Sequence, residues 1–184
     1  SIMVGDFELS LSQVVSAVFG DGGKDAEFIV QTLRLPRALT AMMVGAALGM
    51  SGAVFQSIAR NPLGSPDIVG FESGAAFGAV VVITVWHGSS VQVALGAVAG
   101  GLVTALLVYV LAWRNGLAAS RLVLVGIGIG FAASAAVDYM ITRAQIYDVQ
   151  RAAVWLTGSL NGRSWSDVRT VGLALAVLAP AIAV

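Results

Sequence analysis

Arg34-Leu35-Pro36-Arg37 leads into a stretch, 38–57, that carries no charge and empties into Arg60-Asn61-Pro62-Leu63-Gly64-Ser65-Pro66-Asp67 before the next apolar run begins. Coiled as a helix, a run of that length is about 30 Å long, the thickness of a bilayer's hydrocarbon core. The chain is therefore predicted to be embedded in a membrane. Composition points the same way. Hydrophobic residues make up 58% of the chain and charged residues 11%, against roughly 25% charged in ordinary soluble domains, too few to cover a water-facing surface.

Reading outward, further apolar spans are expected at 68–86, 91–113 and 122–141, with a shorter one at 168–184. All should be helices, because strands of a membrane barrel alternate apolar and polar positions, whereas these runs are apolar on every side. Helices also satisfy their backbone groups internally, which lipid cannot do for them. The expected fold class is an all-α membrane protein, a polytopic transmembrane helix bundle. Residues 1–37 are expected to form an extracytoplasmic segment and 38–184 the bundle. The chain starts at Ser1 without an initiator methionine and stops at Val184 inside an apolar run, and it is expected to be a piece of something longer.

Between the spans lie shorter signals. Ser10-Leu11-Ser12-Gln13 has the form of a capping box, with Leu11, Val14, Val15 and Val18 on one face and Gly20 placed to end a short interfacial helix. Asp21-Gly22-Gly23-Lys24-Asp25 reads as a turn. His87-Gly88-Ser89-Ser90 fits only a tight reversal, which makes the second and third spans an antiparallel hairpin, and a further short turn is expected between Arg114 and Arg121. In the linker 142–167, Val149, Ala153, Leu156 and Leu160 recur at helical spacing and suggest a second surface-lying helix. Trp155 and Trp165 suit the headgroup zone. Gly45 and Gly49, Gly96 and Gly100, and Gly126 and Gly130 stand four apart, a pattern that lets helix backbones approach closely.

Several chemistries are excluded. Net charge is zero and the basic residues are scattered, so the electrostatic footprint of nucleic-acid binding is missing. Without cysteine there is no disulfide, thiolate metal site or cysteine nucleophile. Gly126-Ile127-Gly128-Ile129-Gly130 lacks the last glycine of a dinucleotide loop, Phe131 standing there, and it lies inside a span. Lys24 is followed by Asp25, where a P-loop needs Ser or Thr, so an ATP site would have to be on another chain. Along one helix, Ser73 and the sole histidine, His87, would be roughly 21 Å apart, too far for a serine hydrolase, which leaves His87 as a solvated turn residue. The carboxylates are too dispersed to hold a metal. Glu72 and Asp138 interrupt the spans. Each is a functional candidate by default, but Glu72 sits near a helix N-terminus that favours it and Asp138 is near enough to a helix end to reach the interface.

These motifs carry a resemblance. Arg34-Leu35-Pro36-Arg37, Val44-Gly45-Ala46-Ala47-Leu48-Gly49-Met50-Ser51-Gly52, Gln56, Arg60-Asn61-Pro62-Leu63 and Gly70, followed by Trp155-Leu156-Thr157-Gly158-Ser159-Leu160-Asn161-Gly162 and Trp165, resemble the FecCD/BtuC-type permease subunits of ABC importers for iron-siderophore complexes, haem and vitamin B12. Phe55-Gln56-Ser57, Gly64-Ser65-Pro66-Asp67 and Ala112-Trp113-Arg114-Asn115-Gly116 look closest to the ferric-enterobactin branch. The resemblance implies a multi-pass subunit of the bacterial inner membrane with no chemistry and no cofactor of its own, this chain holding the second through the sixth transmembrane helix. It implies a second permease subunit as partner, separate ATPase chains that bind the ATP, and a periplasmic or lipid-anchored binding protein that delivers substrate. It places Arg34 and Arg37 on the outer surface, where a fixed pair of guanidinium groups can grip carboxylates of the binding protein. Anchoring of the helix among lipid headgroups is the other reading of the pair. It also places 122–141 along the translocation pathway, with Gly126, Gly130 and Ser134 as a slim face and Asp138 beyond them. In that orientation the outer loops hold Lys24, Arg34, Arg37, Arg143, Arg151, Arg163 and Arg169 and the inner ones Arg60, Arg114 and Arg121, the reverse of the usual positive-inside bias. A membrane assembly or anchoring module is the non-transport alternative, and an intramembrane enzyme a weaker one.

Overall fold

The computed structural model describes residues 9–20, 23–59, 65–113 and 118–183. Of the expected turns, Asp21-Gly22, 60–64 and 114–117 lie outside the described residues, while Lys24 and Asp25 of the first turn and Ala119 to Arg121 of the last are already helical. The described residues form helices α1 (Leu11–Phe19), α2 (Lys24–Glu27), α3 (Leu35–Ala59), α4 (Phe71–Thr84), α5 (Ser90–Ala112), α6 (Ala119–Arg143), α7 (Ile146–Thr157) and α8 (Trp165–Ala183), with a π-helical segment at Phe28–Arg34 and a 3-10 turn at Pro66–Val69. Among the described residues, four helical stretches are long and apolar enough to cross a membrane: Lys24–Ile58, Ser90–Ala112, Ala119–Arg143 and Trp165–Ile182. Large apolar side chains such as Leu48, Leu102, Leu124 and Leu173 stand exposed along them. In water such a surface would aggregate, whereas in lipid it is the solvent-facing side.

The residues divide into two compact units, Ser1–Met50 with Leu160–Val184, and Ser51–Ser159. In the first, the expected capping box is formed: the Ser10 hydroxyl accepts from the Gln13 amide and the Gln13 side chain accepts from the Ser10 amide, while Gly20 ends α1 in the left-handed region at φ 91°. The packed face is narrower than the sequence suggested. Val14 and Ala17, with Leu9, bury against Val30, while Val15 and Val18 are exposed. The first span also begins earlier than 38. Pro36 lies inside a continuous helix, where its ring would ordinarily collide with the carbonyl one turn back. The π segment relieves this, since the Leu35 amide reaches back to the Val30 carbonyl, one residue further than an α-helix would.

In the second unit the span expected at 68–86 is broken. Gly70 takes φ 77° between the 3-10 turn and α4, and α4, roughly 21 Å long, falls short of the bilayer core by itself. Glu72 lies in its first turn, as expected. The α4–α5 reversal at His87–Ser89 is formed, with Ser89 and Gln92 making a second capping box that begins α5. Glycines set the contact between these helices: a Cβ on Gly74 would collide with the Thr104 side chain, and one on Gly78 with the Gly96 carbonyl. Ala79, Val80, Ile83, Val93, Ala97, Val137 and Ala152 bury together around this seam. A second cluster joins Phe55, Val69 and Val108, with the Phe55 ring edge-on to Phe71. The expected surface-lying helix is formed as α7, with Ala153 and Leu156 exposed. Asp148 and Ala152 turn inward instead, because the apolar stripe of an interfacial helix faces lipid and leaves the polar side for protein.

Candidate functional site

Arg34 is the last residue of the π segment and Arg37 falls in the first turn of α3. Three positions apart on a helix, they are near neighbours on one side. Arg37 is exposed, Arg34 half-buried, and Pro36 between them buried. From Arg37 the helix runs without a charge to Ala59, about 33 Å at 1.5 Å per residue, so a helix crossing the bilayer carries this pair at one margin of the hydrocarbon. Two hydrogen bonds hold the pair's base. The Gln31 side chain donates to the Ala17 carbonyl at 2.8 Å, tying α1 to the π segment. The Trp165 indole donates to the Gln31 carbonyl at 2.9 Å, tying α8 to the same point. The buried Thr40 hydroxyl, one turn past Pro36, makes no hydrogen bond.

The other candidate residues sit on α6. Gly126 and Gly130 are buried where the chain turns at Val69 and Gly70: a Cβ on Gly126 would lie 2.7 Å from Val69 Cα, and one on Gly130 3.0 Å from Gly70 Cα. Their slim face receives this turn. Ser134, one turn on, is exposed and donates to the Ser73 hydroxyl of α4 at 3.2 Å. Asp138 is exposed a further turn along, beside Tyr139, over whose ring the Arg143 guanidinium stands 5.6 Å from the centroid. Of the four α6 residues, the structure thus brings Gly126, Gly130 and Ser134 onto the Gly70–Ser73 stretch and leaves Asp138 beyond it.

The sequence did not indicate the pairing of Ser73 with Ser134. Neither residue type announces a partner on another helix, and the small-residue spacing of α6 was the available signal. His87 is also more engaged than a solvated turn residue. Although its side chain is 60% exposed, its Nδ1 lies 3.2 Å from Asp148 Oδ2, and the Arg151 guanidinium donates to the Gly88 carbonyl. These contacts fasten the α4–α5 reversal to α7. Ser73 and His87 belong to separate pairs and do not form a nucleophile–base couple with each other. Among the described residues no cluster of His, Asp or Glu could hold a metal.

A cavity of about 490 Å³ opens between α4, α5 and α6, lined by Gly78, Trp86, Gly100, Thr104 and Ala133 among others. Its walls offer hydrocarbon and very little polarity, so it suits an apolar occupant and gives nothing to a charged one.

The FecCD transport family model matches residues 1–184. The chain is 44% identical over 162 residues to the ferric enterobactin transport system permease protein FepG of Escherichia coli, covering 88% of this chain and 49% of that protein. It is 40% identical over 182 residues to the achromobactin transport system permease protein CbrC of Dickeya dadantii, covering 98% of this chain and 52% of that one. The chain thus spans about half the length of these relatives. Among solved structures, one described as an inward-facing conformation of a metal-chelate type ABC transporter matches with a TM-score of 0.80 at 28% identity, over 96% of this chain and 55% of that one.

Proposed function

This chain belongs to the FecCD transport family, and from that membership we propose that it is part of the permease subunit of an ABC importer that moves ferric-siderophore complexes inward across the bacterial inner membrane. The fold likeness to a metal-chelate transporter over nearly the whole chain is the observation that carries the reading. The permease works by alternating access as half of a dimer, with an identical or paralogous partner. ATP is bound and hydrolysed on separate ATPase chains, and a periplasmic or lipid-anchored binding protein delivers the chelate. The chain itself makes and breaks no bonds.

Arg34 and Arg37 are the docking pair for the binding protein. They stand where a helix leaves the hydrocarbon, and paired guanidiniums on a helix are suited to carboxylate partners, steering encounter as well as holding it. On α6, Gly126 and Gly130 fix the helix close to the Gly70 turn, and the exposed Ser134 and Asp138 are the residues that meet the pathway.

The test is uptake of radio-iron-labelled ferric enterobactin by cells expressing the full-length gene with its partner subunits. Saturable uptake is expected, and the Arg34→Glu/Arg37→Glu double variant should lower it at least about tenfold when binding protein is limiting, a loss that raised salt mimics in the parent. Full uptake by a well-expressed double variant removes the docking role. Uptake of haem or vitamin B12 in place of the siderophore complex reassigns the cargo, and transport of none of the three favours a membrane assembly module.

A further inference from the structure

We infer that Trp165 is a positioning residue for the arginine pair, acting through the carbonyl that Pro36 leaves without a backbone donor. The inference rests on the docking reading of Arg34 and Arg37.

In the π segment each amide reaches five residues back, as the Leu35 amide does to the Val30 carbonyl. The next bond of that series would run from residue 36 to the Gln31 carbonyl. Residue 36 is proline and has no N–H to give. With Leu35 already committed to Val30, the Gln31 carbonyl lacks its helical partner. The Trp165 indole N–H fills the position at 2.9 Å, from a residue 134 positions further along the chain.

Trp165 is itself held. It is the first residue of α8, and two bonds between its flanking residues close over it: the Ser164 amide donates to Asp167 Oδ2 at 2.9 Å and the Ser164 hydroxyl donates to the same oxygen at 3.0 Å. On the opposite side, the Gln31 amide group donates to the Ala17 carbonyl. One residue therefore receives α8 through its backbone and grips α1 through its side chain. Arg34 lies one turn after Gln31 and Arg37 two turns after it, so the angle at which the π segment enters α3 sets where both guanidiniums point. Trp165 fixes that angle.

The experiment uses the full-length permease assembled with its partner chains in lipid nanodiscs, and for uptake the same assembly in cells supplied with labelled ferric enterobactin. Trp165→Phe keeps the ring and deletes the donor. Backbone amide exchange across 28–40 should quicken, and uptake at limiting binding protein should fall about 2- to 10-fold, the range that one hydrogen bond commands. Pro36→Ala restores an N–H at the vacant place, so adding Trp165→Phe to it should change both readouts by less than about 2-fold. Simple loss of packing around the tryptophan would damage both backgrounds alike, and that result overturns the inference. Unchanged exchange in Trp165→Phe overturns it too. Quicker exchange with undiminished uptake, in a strain where Arg34→Glu/Arg37→Glu does reduce uptake, shows a clamp that does not position the arginines and also overturns it. Should the double charge reversal leave uptake intact, the docking reading falls and the positioning role falls with it, whatever the exchange data say about the hydrogen bond.

Discussion

Replacing Gly70 by alanine should destabilise this protein twice over, through backbone strain and through a clash with α6. The residue holds φ 77° and ψ 9°, a left-handed conformation that costs an L side chain about 1–2 kcal/mol. The added Cβ would also stand 2.7 Å from Gly130 Cα and 2.8 Å from the Gly126 carbonyl oxygen, against a resting carbon separation of about 3.5–4.0 Å. Both obstructing atoms are backbone, so no rotamer change relieves the clash and α6 must retreat by roughly 1 Å, an overpacking cost of about 1–3 kcal/mol. Together the loss is about 2–5 kcal/mol. Two controls separate the terms. Gly130→Ala meets Gly70 Cα at 3.0 Å but lies within a helix, where alanine regains up to about 1 kcal/mol of propensity, so its net loss should be smaller. Gly45→Ala has nothing within 4 Å and should be neutral or slightly stabilising. The assay is heating of the detergent-solubilised full-length transporter, with the folded fraction read by size-exclusion chromatography. The expected order of midpoints is Gly45→Ala highest, then Gly130→Ala, then Gly70→Ala. A Gly70→Ala protein that melts with the parent refutes the claim that the turn at Gly70 is wedged against α6.

Other outcomes follow from the same contacts. Gly78→Leu should prevent folded protein from accumulating in the membrane, because its Cβ alone already meets the Gly96 carbonyl. Quantitative blotting of membrane fractions checks this, and parental levels would contradict it. Asp148→Ala, which removes the acceptor beside His87, should loosen α7 by about 0.5–1.5 kcal/mol and quicken amide exchange across 146–157, with Arg151→Ala acting in the same direction through the lost bond to the Gly88 carbonyl.

Which features could be read from the sequence depends on what lipid makes visible. The apolar helices expected at 91–113 and 122–141 were legible as helices, the first within a residue and the second two to three residues short at its ends, since hydrocarbon thickness demands runs of that length, and the Ser10 box was legible because its partners are three residues apart. The α4–α5 reversal was legible from chain length alone. Gly70 was not. An apolar run reads the same whether its helix is whole or broken, and the break is stabilised by Gly126 and Gly130, glycines that reveal their use only when α6 is beside them. On α7 the apolar spacing marks a surface-lying helix but does not say which residue turns inward; that residue is Asp148, beside His87.

Pro36 shows how far a local rule reaches. Proline before an apolar run ordinarily marks a helix start, yet here the helix continues through it. The sequence held both parts of the reason, a proline without a donor and a tryptophan with one, but nothing local to either says that they meet. The energy of an unpaired carbonyl links them: a proline tolerated inside a helix implies an acceptor that some other donor must satisfy. In a membrane chain this turns an interior proline into a prediction about a distant Trp, Ser, Gln or Arg, and here the donor is the indole at the head of α8. Pro180 inside α8 raises the same requirement again, so the carbonyl at Ala176 is the place to look for a donor from a neighbouring helix.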